Sequence, residues 1–121
     1  VFIAKWLGAD IQTQLSLAPK SVTAPVAMGI AEKIGALPSL TAALVVMTGV
    51  TGALICTLLF SLLGIKDNSV KGIAVGVAAH GIGTARAFKI SAEMGAFSGL
   101  AMALSTLISA LALPWLVTFL F

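Results

Sequence analysis

The apolar positions of this chain gather into long uninterrupted runs rather than amphipathic stripes. Ser39–Leu63 and Phe97–Phe121 are almost wholly apolar, and each predicts a long helix. A bilayer-spanning helix takes about 20 mostly apolar residues, and the first run would measure about 37 Å if fully helical. Pro38, just before that run, suits a helix start, where its missing N–H has no partner to lose. Pro114 and Trp115 stand near the end of the second run. Polar residues collect elsewhere. Gly64–Lys71 predicts a turn holding Lys66, Asp67, Asn68 and Lys71, and Asp10 and Asp67 read as cap or turn residues. Val1–Gly8 reads as the end of an apolar helix whose start is missing, with Lys5 and Trp6 at an interface.

The remaining two segments are mixed, and each is broken near its middle. Asp10–Ala18 predicts a half-helix, which Pro19-Lys20-Ser21-Val22-Thr23-Ala24-Pro25 interrupts. Pro25 removes a backbone donor and clashes with a preceding turn unless it lies in the first turn of a new helix. A second half-helix, capped by Ser21 or Thr23, is therefore expected to run to about Ile34. Gly72–Ala79 predicts the next half-helix, which His80-Gly81-Ile82-Gly83-Thr84 interrupts. Each glycine weakens a helix by about 1 kcal/mol relative to Ala, and Thr84 is the expected cap of the half-helix that follows to Met94. Halves of this size are roughly 12–16 Å long and reach only the middle of a bilayer.

The two broken segments resemble each other. At an offset of 61 residues Thr23-Ala24 matches Thr84-Ala85, and Ala31-Glu32 matches Ala92-Glu93. After a one-residue gap Gly35-Ala36 matches Gly95-Ala96. The pattern predicts an internal repeat with units at about 10–64 and 69–121, each a broken segment followed by a spanning helix. Paired interrupted helices in corresponding positions point to the binding site of a secondary transporter. Two topologies follow. If the broken segments are re-entrant hairpins, only Ser39–Leu63 crosses between Thr23 and Thr84, and the repeats are inverted with tips meeting from opposite sides. If each broken segment crosses, upstream helices must supply the inverted partner. The hairpin form is favoured.

Composition strengthens the membrane reading. Of the 121 residues 60% are hydrophobic and 9% charged, with a mean hydropathy of +1.14. Soluble domains carry about 25% charged residues. No formal charge occurs from Ile34 to Ile65 or from Met94 to Phe121. The expected fold is all-α: a polytopic helical membrane protein with two broken or re-entrant segments and two long transmembrane helices. A soluble enzyme and a disordered chain are excluded. So is a nucleic-acid binder, because the seven basic residues are spread along the chain and form no stripe. Cys56 is the single cysteine, so the chain offers neither an internal disulfide nor a cysteine metal cluster.

Charge is scarce, and its placement marks the candidate site. A half-helix starting near Val22 aims backbone N–H groups and a positive dipole end at the first break, where Lys20 adds a full charge beside Ser21 and Thr23. The blander reading is that Lys20 snorkels to an interface. The second break carries His80, Gly81, Gly83, Thr84 and Arg86. Arg86 suits a carboxylate clamp, and His80 suits a coupled proton. Their blander readings are an interfacial basic pair of Arg86 with Lys89 and a capping or packing histidine. Two basic breaks with helix N-termini favour an anionic substrate. Glu32 beside Lys33, and Glu93 four residues after Lys89, read as ion pairs on solvated helix ends. Gly72-Ile73-Ala74-Val75-Gly76 and Gly95-Ala96-Phe97-Ser98-Gly99 read as close-packing motifs. Ser21 and His80 as nucleophile and base lack an orienting carboxylate, so no enzyme, metal site or cofactor is expected.

Taken together, Pro19–Pro25, Ile34-Gly35-Ala36-Leu37-Pro38-Ser39-Leu40, His80-Gly81-Ile82-Gly83-Thr84-Ala85-Arg86 and Gly95-Ala96-Phe97-Ser98 resemble the LrgB/CidB family. These are antiholin- and holin-type bacterial membrane proteins related to the plastid glycolate/glycerate translocator. The resemblance covers the whole chain and implies the C-terminal half of a membrane domain about twice as long. It further implies a multi-pass protein of the bacterial inner membrane and two functional descriptions. One is transport of small carboxylates such as glycolate, glycerate or pyruvate. The other is control of murein hydrolase activity and lysis through a partner membrane protein of the LrgA/CidA kind. A homo-oligomer in the lipid bilayer is the expected assembly.

Overall fold

A computed structural model describes residues 1–120. Their elements are α1 (Phe2–Trp6), α2 (Ile11–Leu17), α3 (Ala24–Lys33), α4 (Pro38–Leu62), α5 (Asn68–Ile90) and α6 (Ala92–Leu120). The expected all-helical architecture is present among these residues, with both long helices in place. The second long helix starts five residues earlier than predicted, at Ala92, and the last residue of the predicted run lies outside the described residues.

Local chemistry sets the boundaries. Asp10 caps α2 by accepting from Thr13 N, and Asp67 caps α5 by accepting from Ser69 N and Val70 N. Pro38 stands in the first turn of α4. The long helix α4 ends in a Schellman motif. Gly64 takes φ 66°, its N–H donates to Ser61 O, and Ile65 N donates to Phe60 O. The α3 terminus closes the same way on Gly35, with Ala36 N donating to Ala31 O. Gly95, the proposed repeat partner of Gly35, instead lies inside α6 beneath the Phe88 ring, so these two glycines do different work.

One expected ion pair is corrected. Lys89 and Glu93 do not share a helix, because Ser91 adopts an extended conformation (φ −158°, ψ 151°) between α5 and α6. Ser91 Oγ then accepts from Met94 N, starting α6 with Glu93 in its first turn.

Helix packing follows the small residues. A side chain at Gly72 or Gly76 would strike the backbone carbonyl of Met94 or Ser98, so α5 and α6 lie backbone to backbone, as the close-packing motif predicts. On the other side of α5, Gly52 of α4 receives Ala79. Cys56, Phe60, Val75, Ala79, Ala87 and Met94 form the core between α4, α5 and α6. A second core of Val22, Ala27, Ile30 and Val45 seats α3 on α4. Leu15, Ala31, Ala36 and Val117 join α2 and α3 to the far end of α6.

Helices α4 and α6 are long and apolar enough to cross a membrane, with mean hydropathies of 2.2 and 2.0 over their most apolar windows. Only 22% and 6% of those windows are buried, so most of their apolar surface faces outward. The core helix of a water-soluble domain would show the reverse.

Candidate functional site

The break in α5 is confined to His80. Two helical stretches of α5 meet in a kink at His80, which has φ 39° and ψ −133°, the one positive φ outside glycine among the described residues. Such a conformation costs about 1–3 kcal/mol and persists only where the surroundings over-determine it. Here they do. The ring is buried, and its Nε2 lies 2.9 Å from the Val45 carbonyl on α4. A carbonyl only accepts, so Nε2 carries the proton of this bond. The ring sits over Gly49, one helical turn from Val45. The His80 carbonyl accepts from Thr84 Oγ1 at 2.8 Å. With its single proton committed there, Thr84 Oγ1 accepts from Ser98 Oγ on α6 at 2.9 Å. The predicted role of Thr84 as a helix cap is therefore corrected: it stands inside α5, tying the break to α6.

The first break is wider. After α2, hydrogen bonds from Lys20 N to Leu17 O and from Val22 N to Pro19 O turn the chain, with Pro19 and Val22 buried. Lys20 Nζ donates to Ser21 Oγ at 3.1 Å. Thr23 takes the cap position of α3, but its side chain makes no capping bond, and Pro25 is in the first turn. The N–H groups of Ala24 and Val26, in that same turn, have no intrahelical acceptor by position. Beneath the turn, buried Ser16 accepts from Leu37 N through Oγ, and Thr41 Oγ1 donates to Ser16 O. Gln14 donates to Ala9 O, while its buried Oε1 has no partner.

The two breaks meet. An open cavity of about 290 Å³ is lined by Thr23 and Ala24 of the first, by His80, Gly81 and Ile82 of the second, and by Val45 and Val46 of α4 between them. Of the predicted site residues, Thr23, His80 and Gly81 are thus brought together. Lys20 and Ser21 belong to the turn just before Thr23 and pair with each other, off the cavity lining. Gly83 is buried inside α5 against Val75 and Ala79. Thr84 is buried behind the break, and Arg86 is exposed outside the cavity. Sequence reasoning missed Val45, Gly49 and Ser98. A signal existed for Gly49, since a glycine in an uninterrupted apolar run marks a close approach. Ser98 was visible as part of a packing motif and of the family resemblance, with no role of its own. Among the described residues no cluster of three or more His, Cys, Asp or Glu is placed to hold a metal.

This arrangement defines a helical membrane protein in which an interrupted helix and a helix start converge on a buried histidine. The chain belongs to the LrgB-like family, whose model matches residues 1–119. It is 37% identical to the uncharacterized protein YwbG of Bacillus subtilis over 117 residues, covering 97% of this chain and 52% of that protein. It is 32% identical over 113 residues to the holin-like protein CidB of Staphylococcus epidermidis, covering 93% of this chain and 49% of the relative. A Haemophilus influenzae protein is 30% identical over the same shares. The chain therefore spans about half the length of these relatives. No solved structure matches it.

Proposed function

We propose that the cavity where the two breaks meet is the binding site of a transporter for small carboxylates of the glycolate, glycerate or pyruvate type. The protein would work as a multi-pass protein of the bacterial inner membrane. The carrying observation is the shared lining of that cavity by Thr23 and Ala24 from one break and His80 and Gly81 from the other. The α3 N-terminus supplies a positive dipole end and unpaired N–H groups, which favour an anion. His80 and Thr23 supply polar groups in an otherwise apolar wall, the usual construction of a small-ligand site. The open cavity of about 290 Å³ has room for a small carboxylate. Lys20, one turn before Thr23, adds positive potential to the same break. The sequence matches at a 61-residue offset, Thr23-Ala24 with Thr84-Ala85 and Ala31-Glu32 with Ala92-Glu93, support this reading. Residues 10–64 and 69–121 are then the repeat units, forming the C-terminal half of the whole domain.

A second reading is favoured by the names of the staphylococcal relatives, which are holin-like proteins. In it the protein regulates murein hydrolase activity by assembling with a partner membrane protein, without selective transport. The full-length protein reconstituted in liposomes separates the two. Saturable exchange of labelled glycolate, glycerate or pyruvate, with entrapped dye retained, supports the transporter. Dye leakage without substrate selectivity supports the regulator.

A further inference from the structure

The cavity wall contains a single titratable side chain, His80, which is also the chain's only histidine. We propose that His80 takes up and returns a proton through Nδ1, and that its cationic form is the counter-charge for the carboxylate. This rests on the carboxylate reading above.

The argument begins with the ring's anchor. The Val45 carbonyl holds Nε2 as a donor, so in the neutral ring Nδ1 carries the lone pair. Protonation at Nδ1 leaves the Nε2 bond intact, so charge changes without the ring leaving its seat over Gly49. No other charged group competes from the elements packed around it. Helix α4 has no formal charge, and Cys56 on it is buried against Ala53 O, lining a different, apolar cavity. Helix α6 has none beyond Glu93 in its first turn. On α3, Glu32 and Lys33 are exposed at the end opposite Thr23. On α5, Arg86 and Lys89 are exposed, and Lys71 is near the other end. Before the cavity, Lys20 is bonded to Ser21. The Thr84 hydroxyl faces the His80 carbonyl and the Ser98 hydroxyl faces that of Thr84, neither of them a charge.

The proton balance is simple. A carboxylate and one proton enter together, the proton bonds to Nδ1, and imidazolium faces carboxylate. On release the proton leaves Nδ1, the ring returns to its Nε2–H form, and the carboxylate departs. The cycle moves no net charge for a monocarboxylate. Because an anion in an apolar wall is costly without a partner, binding and protonation are linked, and the linkage is reciprocal.

The test is ¹⁵N-histidine NMR of the full-length protein in nanodiscs, with the His80 signals assigned by their loss in His80→Gln. The glutamine amide nitrogen stands where the imidazole Nε2 does and can donate to Val45 O, but it cannot take a proton. The expected result is an Nε2–H tautomer at high pH that gains a proton at Nδ1 as pH falls. Saturating pyruvate, glycolate or glycerate should move that midpoint upward. Carboxylate exchange by His80→Gln should fall at least tenfold at acidic pH and lose its pH dependence. An Nδ1–H tautomer, or a midpoint unmoved by a carboxylate that the protein demonstrably exchanges, overturns the role of His80 and leaves transport standing. A ring that titrates normally in a protein that exchanges no carboxylate overturns the transport reading, and the counter-charge role falls with it.

Discussion

Gly49 and His80 claim the same space: a methyl group added to Gly49 would stand 2.6 Å from the imidazole Cε1. The buried histidine keeps its place because α4 presents no side chain one turn after the carbonyl that accepts its Nε2 proton. This pairing explains how a residue with φ 39° is held in the middle of α5.

Gly49→Ala is therefore expected to force the ring off the Val45 carbonyl and to destabilise the protein by about 1–3 kcal/mol, the range for overpacking. In a His80→Gly background, which also relieves the positive φ, the same change should cost less. The residue of the effect comes from Ile82, whose Cδ1 lies 2.9 Å from the added methyl. A double-mutant cycle by thermal unfolding in detergent measures the difference.

Gly76 and Gly29 give opposite expectations for the same substitution. An alanine methyl at Gly76 meets the Ser98 carbonyl oxygen, a rigid backbone atom, so α5 and α6 must separate. The expected loss is about 1–3 kcal/mol. At Gly29, inside α3, an added methyl has nothing within 4 Å. There alanine should stabilise by up to about 1 kcal/mol through helix propensity. Melting temperatures of the two variants test the pair.

Thr84→Val keeps the shape of the side chain but removes the hydroxyl between Ser98 and the His80 carbonyl. It strands a buried Ser98 hydroxyl and a buried carbonyl, at an expected cost of about 1–3 kcal/mol. Ser98→Ala removes the outer hydroxyl alone and should cost about 1 kcal/mol. The double variant should cost less than the sum, since both changes break the same chain of bonds. Denaturant or thermal unfolding reads all three.

Asp67 links stability to pH. The Ser69 hydroxyl, then the Val70 and Ser69 N–H groups, donate to its carboxylate and hold its pKa below the ordinary value of 3.8. A depressed carboxylate contributes stability above its unfolded pKa and loses it as pH falls through the folded one. The melting difference between the native chain and Asp67→Ala should therefore be full above pH 3.8 and shrink below it.

Most of the helices were legible because bilayer-length apolar runs and turn chemistry are local signals. Pro38, Gly64 and the two capping aspartates fixed boundaries without help from distant residues. The joint at Ser91 was not legible, since a single extended residue between two helices leaves no composition signal. Both breaks could be located, because Pro19, Pro25 and the glycines after His80 disfavour helix in any context. The form of the second break could not, for it depends on a carbonyl and a glycine 35 and 31 residues away on α4. The site was legible as two basic loops, but burial redistributed the roles. Thr23, His80 and Gly81 reach the cavity, while Arg86 is exposed outside it.

The decisive measurement is substrate protection of a cysteine at Thr23. Thr23→Cys is made in the full-length protein with its other cysteines replaced by alanine, reconstituted in liposomes, and treated with a small anionic thiol reagent. If the two breaks form a carboxylate site, modification blocks exchange, and glycolate, glycerate or pyruvate slows the modification in proportion to its occupancy. A cysteine that reacts at the same rate with and without each carboxylate, while exchange continues after labelling, would place the site elsewhere.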